Sequence, residues 1–90
     1  MQTEQFRLWL VQHKRYSPRV RSDALSRCRR VERALLLSLD QSVKSQGELE
    51  NVIQRIREEI LIEASDKSRK EGQASLFHAV KRYHEFLNVY

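Results

Sequence analysis

The sequence predicts an all-α fold, a compact bundle of four to five helices, on three observations. Apolar residues recur in steps of three and four along most of the chain. Only two glycines and one proline interrupt its ninety residues. No segment alternates apolar and polar residues for long enough to make a strand.

The first helix is expected near residues 3–15, with Thr3 as N-cap and Glu4 in the first turn. Phe6, Trp9, Leu10 and His13 line its inner face, and Leu8 and Val11 widen that face. This arrangement reads His13 as a packed core histidine. Tyr16-Ser17-Pro18 stops the helix and starts the next, because Ser17 can accept from orphan N–H groups and Pro18 at the first position forfeits no bond. The second helix, near 18–39, carries Val20, Ala24, Cys28, Val31, Leu35 and Leu39 in one stripe, broadened by Leu25 and Leu36. Asp40 to Gly47 is a looser stretch. A third helix follows near 48–64, with Leu49, Val52, Ile53, Ile56 and Ile60 inward and Glu48 and Glu50 at its start. Ser65 to Gly72 is polar throughout and reads as a loop. The last helix, near 73–89, buries Leu76, Ala79, Val80, Tyr83, Phe86 and Leu87, with Tyr90 as a further candidate. Trp9, Leu35, Ile56, Val80 and Tyr83 should meet in one core.

Size and composition narrow the function. Residues 1–90 suffice for one domain. No apolar run approaches the roughly 18 residues of a membrane span, and the first five residues carry no basic segment before an apolar one, so no secretory signal is expected. The lone Cys28 cannot form an internal disulfide, which suits a reducing, cytoplasmic setting. It lies mid-stripe and reads as an inert core thiol. The three histidines have no ligand-spaced partners, and there is no glycine-rich phosphate loop, Ser-His-Asp ordering or carboxylate pair set in a cleft. We therefore expect binding rather than catalysis, with no cofactor and no small-molecule substrate.

The charge is uneven. Residues 1–45 hold ten Lys/Arg against four Asp/Glu, and residues 46–90 seven against eight, so the net +5 divides into +6 and −1. Opposite the apolar stripe of the second helix, a 100° projection places Arg19, Ser22, Ser26, Arg29, Arg30 and Arg33. Guanidinium groups bind phosphate oxygens bidentately and serine hydroxyls bond them too, so the ladder fits a phosphate-tracking surface. A solvated cationic face would show the same pattern. The last helix offers a second polar face with Ser75, His78, Lys81 and Arg82. Before it, Lys67, Arg69 and Lys70 form a basic approach to a helix N-terminus, an end that favours anions.

The pattern Phe6-x-x-Trp9-Leu10, then Tyr16-Ser17-Pro18 opening a long basic helix, resembles the N-terminal core-binding (SAM-like) domain of phage-integrase-type tyrosine recombinases. The stretch Ala79-Val80-x-x-Tyr83-x-x-Phe86-Leu87 is similar to that domain's last helix. The resemblance spans nearly the whole chain and implies a helical half-clamp on duplex DNA in a bacterial or phage-infected cell, with the second and last helices facing the groove. It implies no catalytic residue here, because that family's Arg, His-x-x-Arg and nucleophilic Tyr lie in a separate domain. The segment from Asp40 to Ala64 is longer and more acidic than the family pattern. Glu58, Glu59 and Glu63 there suit a protein partner, so the alternative is a small mobile-element adaptor or inhibitor acting on a nucleoprotein machine.

Overall fold

The computed structural model describes residues 1–89, so the expectation for Tyr90 lies outside the described residues. The architecture is all-α, with five helices rather than four: α1 Thr3–Lys14, α2 Pro18–Leu35, α3 Leu39–Ser42, α4 Gln46–Glu59 and α5 Asp66–Val89. Helix α2 packs on α1, α4 and α5, and α5 closes over α4 and α1. The predicted core is present: Trp9, Leu35, Ile56, Val80 and Tyr83 are all buried in one cluster. Its densest part is aromatic. Phe6 sits edge-on to Tyr83 at 4.9 Å and 5.4 Å from Phe86, with Trp9 stacked beyond it at 6.2 Å.

The helix starts follow from capping chemistry. Ser17 Oγ accepts from the Val20 N–H at 3.4 Å with Pro18 next in line, as expected. Ser45 and Glu48 form a reciprocal capping box, each side chain accepting the other's backbone N–H at 3.1 and 3.0 Å. This box starts α4 at Gln46, two residues ahead of the sequence expectation. Thr3 is not the N-cap of α1. Gln2 holds that position without a side-chain bond, and Thr3 is the first helical residue.

The expected second helix is cut short. It stops at Leu35, and Leu36 takes a left-handed conformation (φ 53°) with its side chain 91% exposed, so Leu36 does not broaden the stripe. Two polar contacts at α2's last turn hold the break. Arg55 Nη2 donates to the Leu35 carbonyl at 3.2 Å, and the Glu32 carboxylate accepts the Leu39 N–H at 3.0 Å. Leu39 is still fully buried, but as the first residue of α3. Val20, at the start of α2, is also exposed.

The polar loop expected at 65–72 is helical. Ser65 Oγ accepts the Ser68 N–H, Asp66 and Arg69 pair at 2.7 Å one turn apart, and α5 continues through Gly72. A glycine within a helix costs about 1 kcal/mol, but here a Cβ would run into the Leu61 side chain, so the helix passes close under Leu61. Gln73 is the one buried polar residue among those described. Its amide donates to the carbonyls of Ile56, Arg57 and Ile60 at 3.3, 3.3 and 2.8 Å. These lie at the last turn and C-cap of α4; the Ile56 carbonyl also accepts the Ile60 N–H at 3.1 Å, and Gln73 serves the carbonyls of a helix end that runs short of backbone donors.

His13 is exposed and lies against the outer side of the Trp9 ring, so it is not a core histidine. Leu8 and Val11 are exposed as well. His84 is half-buried and its Nδ1 donates to the Val43 carbonyl at 2.6 Å. Cys28 is fully buried, and desolvation followed by the nearby Glu32 charge pushes its thiol up to about 12. Native protein should therefore resist thiol reagents at neutral pH and label only on unfolding, as mass spectrometry across a denaturant series will show.

A polar node ties the chain's ends together. The Tyr83 hydroxyl donates to Asp40 and accepts the Gln2 N–H at 2.8 Å, and the Met1 amino group lies 3.1 Å from Asp40. Burial alone would raise the Asp40 carboxyl, but hydrogen bonds from Tyr83, Met1 and Gln2 outweigh it and hold the group below its ordinary value. A carboxyl depressed by folding lends stability above its unfolded pKa and loses it as pH falls through the folded one. We expect Tyr83→Phe to cost about 1–2 kcal/mol at neutral pH. The variant should also show a weaker loss of stability below about pH 4, measured by urea unfolding against pH.

Candidate nucleic-acid interface

Helix α2 carries six arginines, Arg19, Arg21, Arg27, Arg29, Arg30 and Arg33, and two acids. Its apolar stripe is consumed by packing on three neighbours, so the polar residues share the remaining arc. Arg19, Ser22, Ser26, Arg29, Arg30 and Arg33 are all exposed there, while Arg27 at the edge of the arc and Arg21 near the start of the helix are half-buried. None of the six arginines makes an ion pair among the described residues. Cations on the other long helices are often engaged: Arg7 with Glu4, Lys14 and Arg82 with Glu85, Arg55 with Glu59, Arg69 with Asp66. Glu32 is the acid placed to neutralise Arg29, one turn before it. Its carboxylate is instead turned to the Leu39 N–H and lies 3.8 Å from the Met1 amino group.

Two shallow concavities run along this arc. One, of about 370 Å³, is lined by Ser26, Arg29, Glu32 and Arg33. The other, of about 490 Å³, is lined by Arg7, Pro18, Arg21, Ser22, Leu25, Ser26 and Arg29. Sharing Ser26 and Arg29, they form one furrow along α2 with Arg7 of α1 as part of its wall. Sequence reasoning missed Arg7 and Arg21, because the projection kept only residues directly opposite the apolar stripe. On the wheel Arg21 falls on the apolar side, between Cys28 and Leu25, and Arg7 enters only through the packing of α1 on α2. A further concavity of about 500 Å³ lies between α1 and the end of α5, and its Lys14 and Glu85 neutralise each other.

The polar face of α5 divides. His78 and Lys81 are exposed. Ser75 is half-buried and its hydroxyl donates to the Glu71 carbonyl at 3.2 Å. Arg82 is held internally, with Nε donating to the Tyr16 hydroxyl at 3.0 Å and Nη1 meeting Glu85 at 2.6 Å. Tyr16 Oη also lies 3.3 Å from His78 Nε2. Burial lowers the His78 pKa first, then the positive charges of Arg82, Arg27 and Lys81, against the opposing Glu85. Arg27 therefore marks where the edge of α2 approaches the polar face of α5.

The basic approach to the last helix does not exist as a loop. Lys67, Arg69 and Lys70 lie on α5 itself, Lys67 and Lys70 exposed and Arg69 paired with Asp66. The helix N-terminus ahead of them is already complemented by Ser65 and by Asp66 in its first turn, so its dipole is partly satisfied. The acidic group is also rearranged. Glu58 accepts from Gln54 at 2.9 Å and Glu59 pairs with Arg55, while Glu63 lies beyond α4 in the turn.

No family model, curated protein or solved structure matches this chain. The likeness to the recombinase core-binding domain rests on the sequence pattern alone.

The proximity of Arg27 gives a direct test of this geometry. His78 should titrate below its ordinary value of 6.5, and Arg27→Ala should move it upward by removing a repelling charge. Ring-proton NMR against pH reads both, and an unmoved His78 would separate the α2 edge from α5.

Proposed function

We propose that this chain is a non-catalytic nucleic-acid-binding module that grips duplex DNA by its phosphates along α2. The observation that carries the reading is the set of arginines on α2 that make no ion pair among the described residues, four of them exposed on one arc. A guanidinium left without a carboxylate keeps its full capacity for a phosphate, and its planar fork suits two phosphate oxygens at once. Arg19 to Arg33 spans roughly 21 Å of helix axis at 1.5 Å per residue, enough to meet successive phosphates. The furrow adds Arg21 and the serine hydroxyls, with Arg7, paired to Glu4, in its wall.

Sequence readout would be limited and would come from His78 and Lys81, since Arg82 is already bonded to Tyr16 and Glu85. The likeness to recombinase core-binding domains favours duplex DNA as the ligand. It also favours a mobile-element setting with the nucleoid of a bacterial or phage-infected cell.

Duplex affinity should fall steeply with salt. Four exposed arginines neutralising about four phosphates give a log K against log salt slope near −3.6. Arg29→Ala or Arg33→Ala should weaken binding to all sequences alike and shallow the slope by about one unit. His78→Ala or Lys81→Ala should instead change sequence preference. Fluorescence titration at several salt concentrations, with random and candidate attachment-site duplexes, reads all of these. If no duplex binds at low salt, while reversing Glu58 and Glu59 to Lys abolishes capture of a protein partner, the adaptor reading replaces this one.

A further inference from the structure

Leu8 and Val11 are an anomaly of the surface. They are 55% and 37% exposed and stand one turn apart on the outer face of α1, whose inner face is taken by Phe6, Trp9 and Leu10. The other exposed large apolar residues, Val20, Leu36, Ile62 and Val89, occur singly at helix ends or turns. Scattered single residues need no explanation, but a stripe on one helix face does.

The stripe has charged ends. Glu4 precedes Leu8 by four residues, and Arg15 follows Val11 by four. Glu4, Leu8 and Val11 lie along one line of α1, and Arg15, a further step of four along the chain, caps the C-terminal end of the helix beyond Val11. Glu4 stays 72% exposed even in its contact with Arg7, and Arg15 is exposed as the left-handed cap of α1. The order is acid, leucine, valine, base. Turned end for end, that order is its own complement. An identical stripe laid antiparallel sets Glu4 against Arg15, Leu8 against Val11, and the same pairs again across the two-fold axis.

We infer that the outer face of α1 is a docking surface for a second copy of this chain, in an antiparallel two-fold pairing of α1 with α1. Self-complementarity under rotation is what an isologous interface requires, each contact occurring twice. A partner of different sequence would not need acid and base at opposite ends of the stripe. One pair of short helices covers well under the roughly 1,200 Å² of a standard stable interface, so the dimer is weak and concentration-dependent, in the high micromolar to millimolar range. This inference does not depend on the proposed DNA-binding role, and its test contains no DNA.

Sedimentation equilibrium of the whole chain, from low micromolar to millimolar concentration, should show a reversible monomer–dimer equilibrium. Glu4→Arg alone and Arg15→Glu alone each set like charges against one another at both ends, and each should weaken self-association roughly tenfold or more. In an equimolar mixture of the two variants every end contact again joins opposite charges, so a heterodimer should return at close to wild-type strength. Leu8→Ser should weaken pairing without this rescue. All three positions are exposed, and far-UV circular dichroism should match wild type. A wild-type chain that stays monomeric at millimolar concentration overturns the inference. So does a dimer that ignores the charge reversals, or a mixture no stronger than its components.

Discussion

The carboxylate of Glu32 decides more of this structure than any other single group. A glutamate on a helix with an arginine one turn before it would ordinarily fold over that cation. Here it is held by the Leu39 N–H and the Met1 amino group. Two results follow from this one commitment. The chain turns out of α2 at Leu36 and re-enters the core at Leu39, and Arg29 and Arg33 are left without a local anion. The interior thus draws off the negative charge that would have neutralised the surface. An alanine at position 32 would leave the ladder's charge in place but remove the acceptor of the Leu39 N–H that seats α3.

The rest of the charge pattern supports the same division. On α4 and α5 the ion pairs are local, between residues three or four apart: Arg55 with Glu59, Arg69 with Asp66, Arg82 with Glu85. Such pairs near the surface contribute little stability. Their larger effect is to cancel field. The net charge of the chain is then carried largely by α2, on one side of the bundle, where it acts on an approaching polyanion at longer range than any single contact.

What was legible in the sequence was whatever a single helix determines by itself. The inward stripes of α2, α4 and α5 followed from their periodicity, the Ser17–Pro18 start from capping chemistry, and the burial of Cys28 from its position mid-stripe. The errors arose where a partner element decides. Leu39 does extend the α2 stripe by four residues, so a continuous helix and a broken one predict the same burial; only Arg55 and Glu32 distinguish them. Ser65 to Gly72 reads as a loop because it is polar throughout, whereas the Ser65 cap and the Asp66–Arg69 pair start a helix that passes close under Leu61 at Gly72. The capping box at Ser45 and Glu48 was visible in the sequence and was passed over in favour of Glu48 as a first-turn acid. In the candidate interface, the exposed ladder was readable from the wheel. The commitment of Arg82 to Tyr16, the helical placement of Lys67 and Lys70, and the contribution of Arg7 were not, because each depends on how two helices meet.

The Gln73 amide and the Tyr83 hydroxyl perform similar duties at very different separations along the chain. Gln73 reaches carbonyls 13 to 17 residues away, whereas Tyr83 reaches the Gln2 N–H across 81. The entropy lost in closing a loop rises with the logarithm of its length, so the second tie is the dearer by more than 1 kcal/mol. Of the two ties, the one within the α4–α5 hairpin can therefore form earlier in assembly than the one that joins Tyr83 to Gln2.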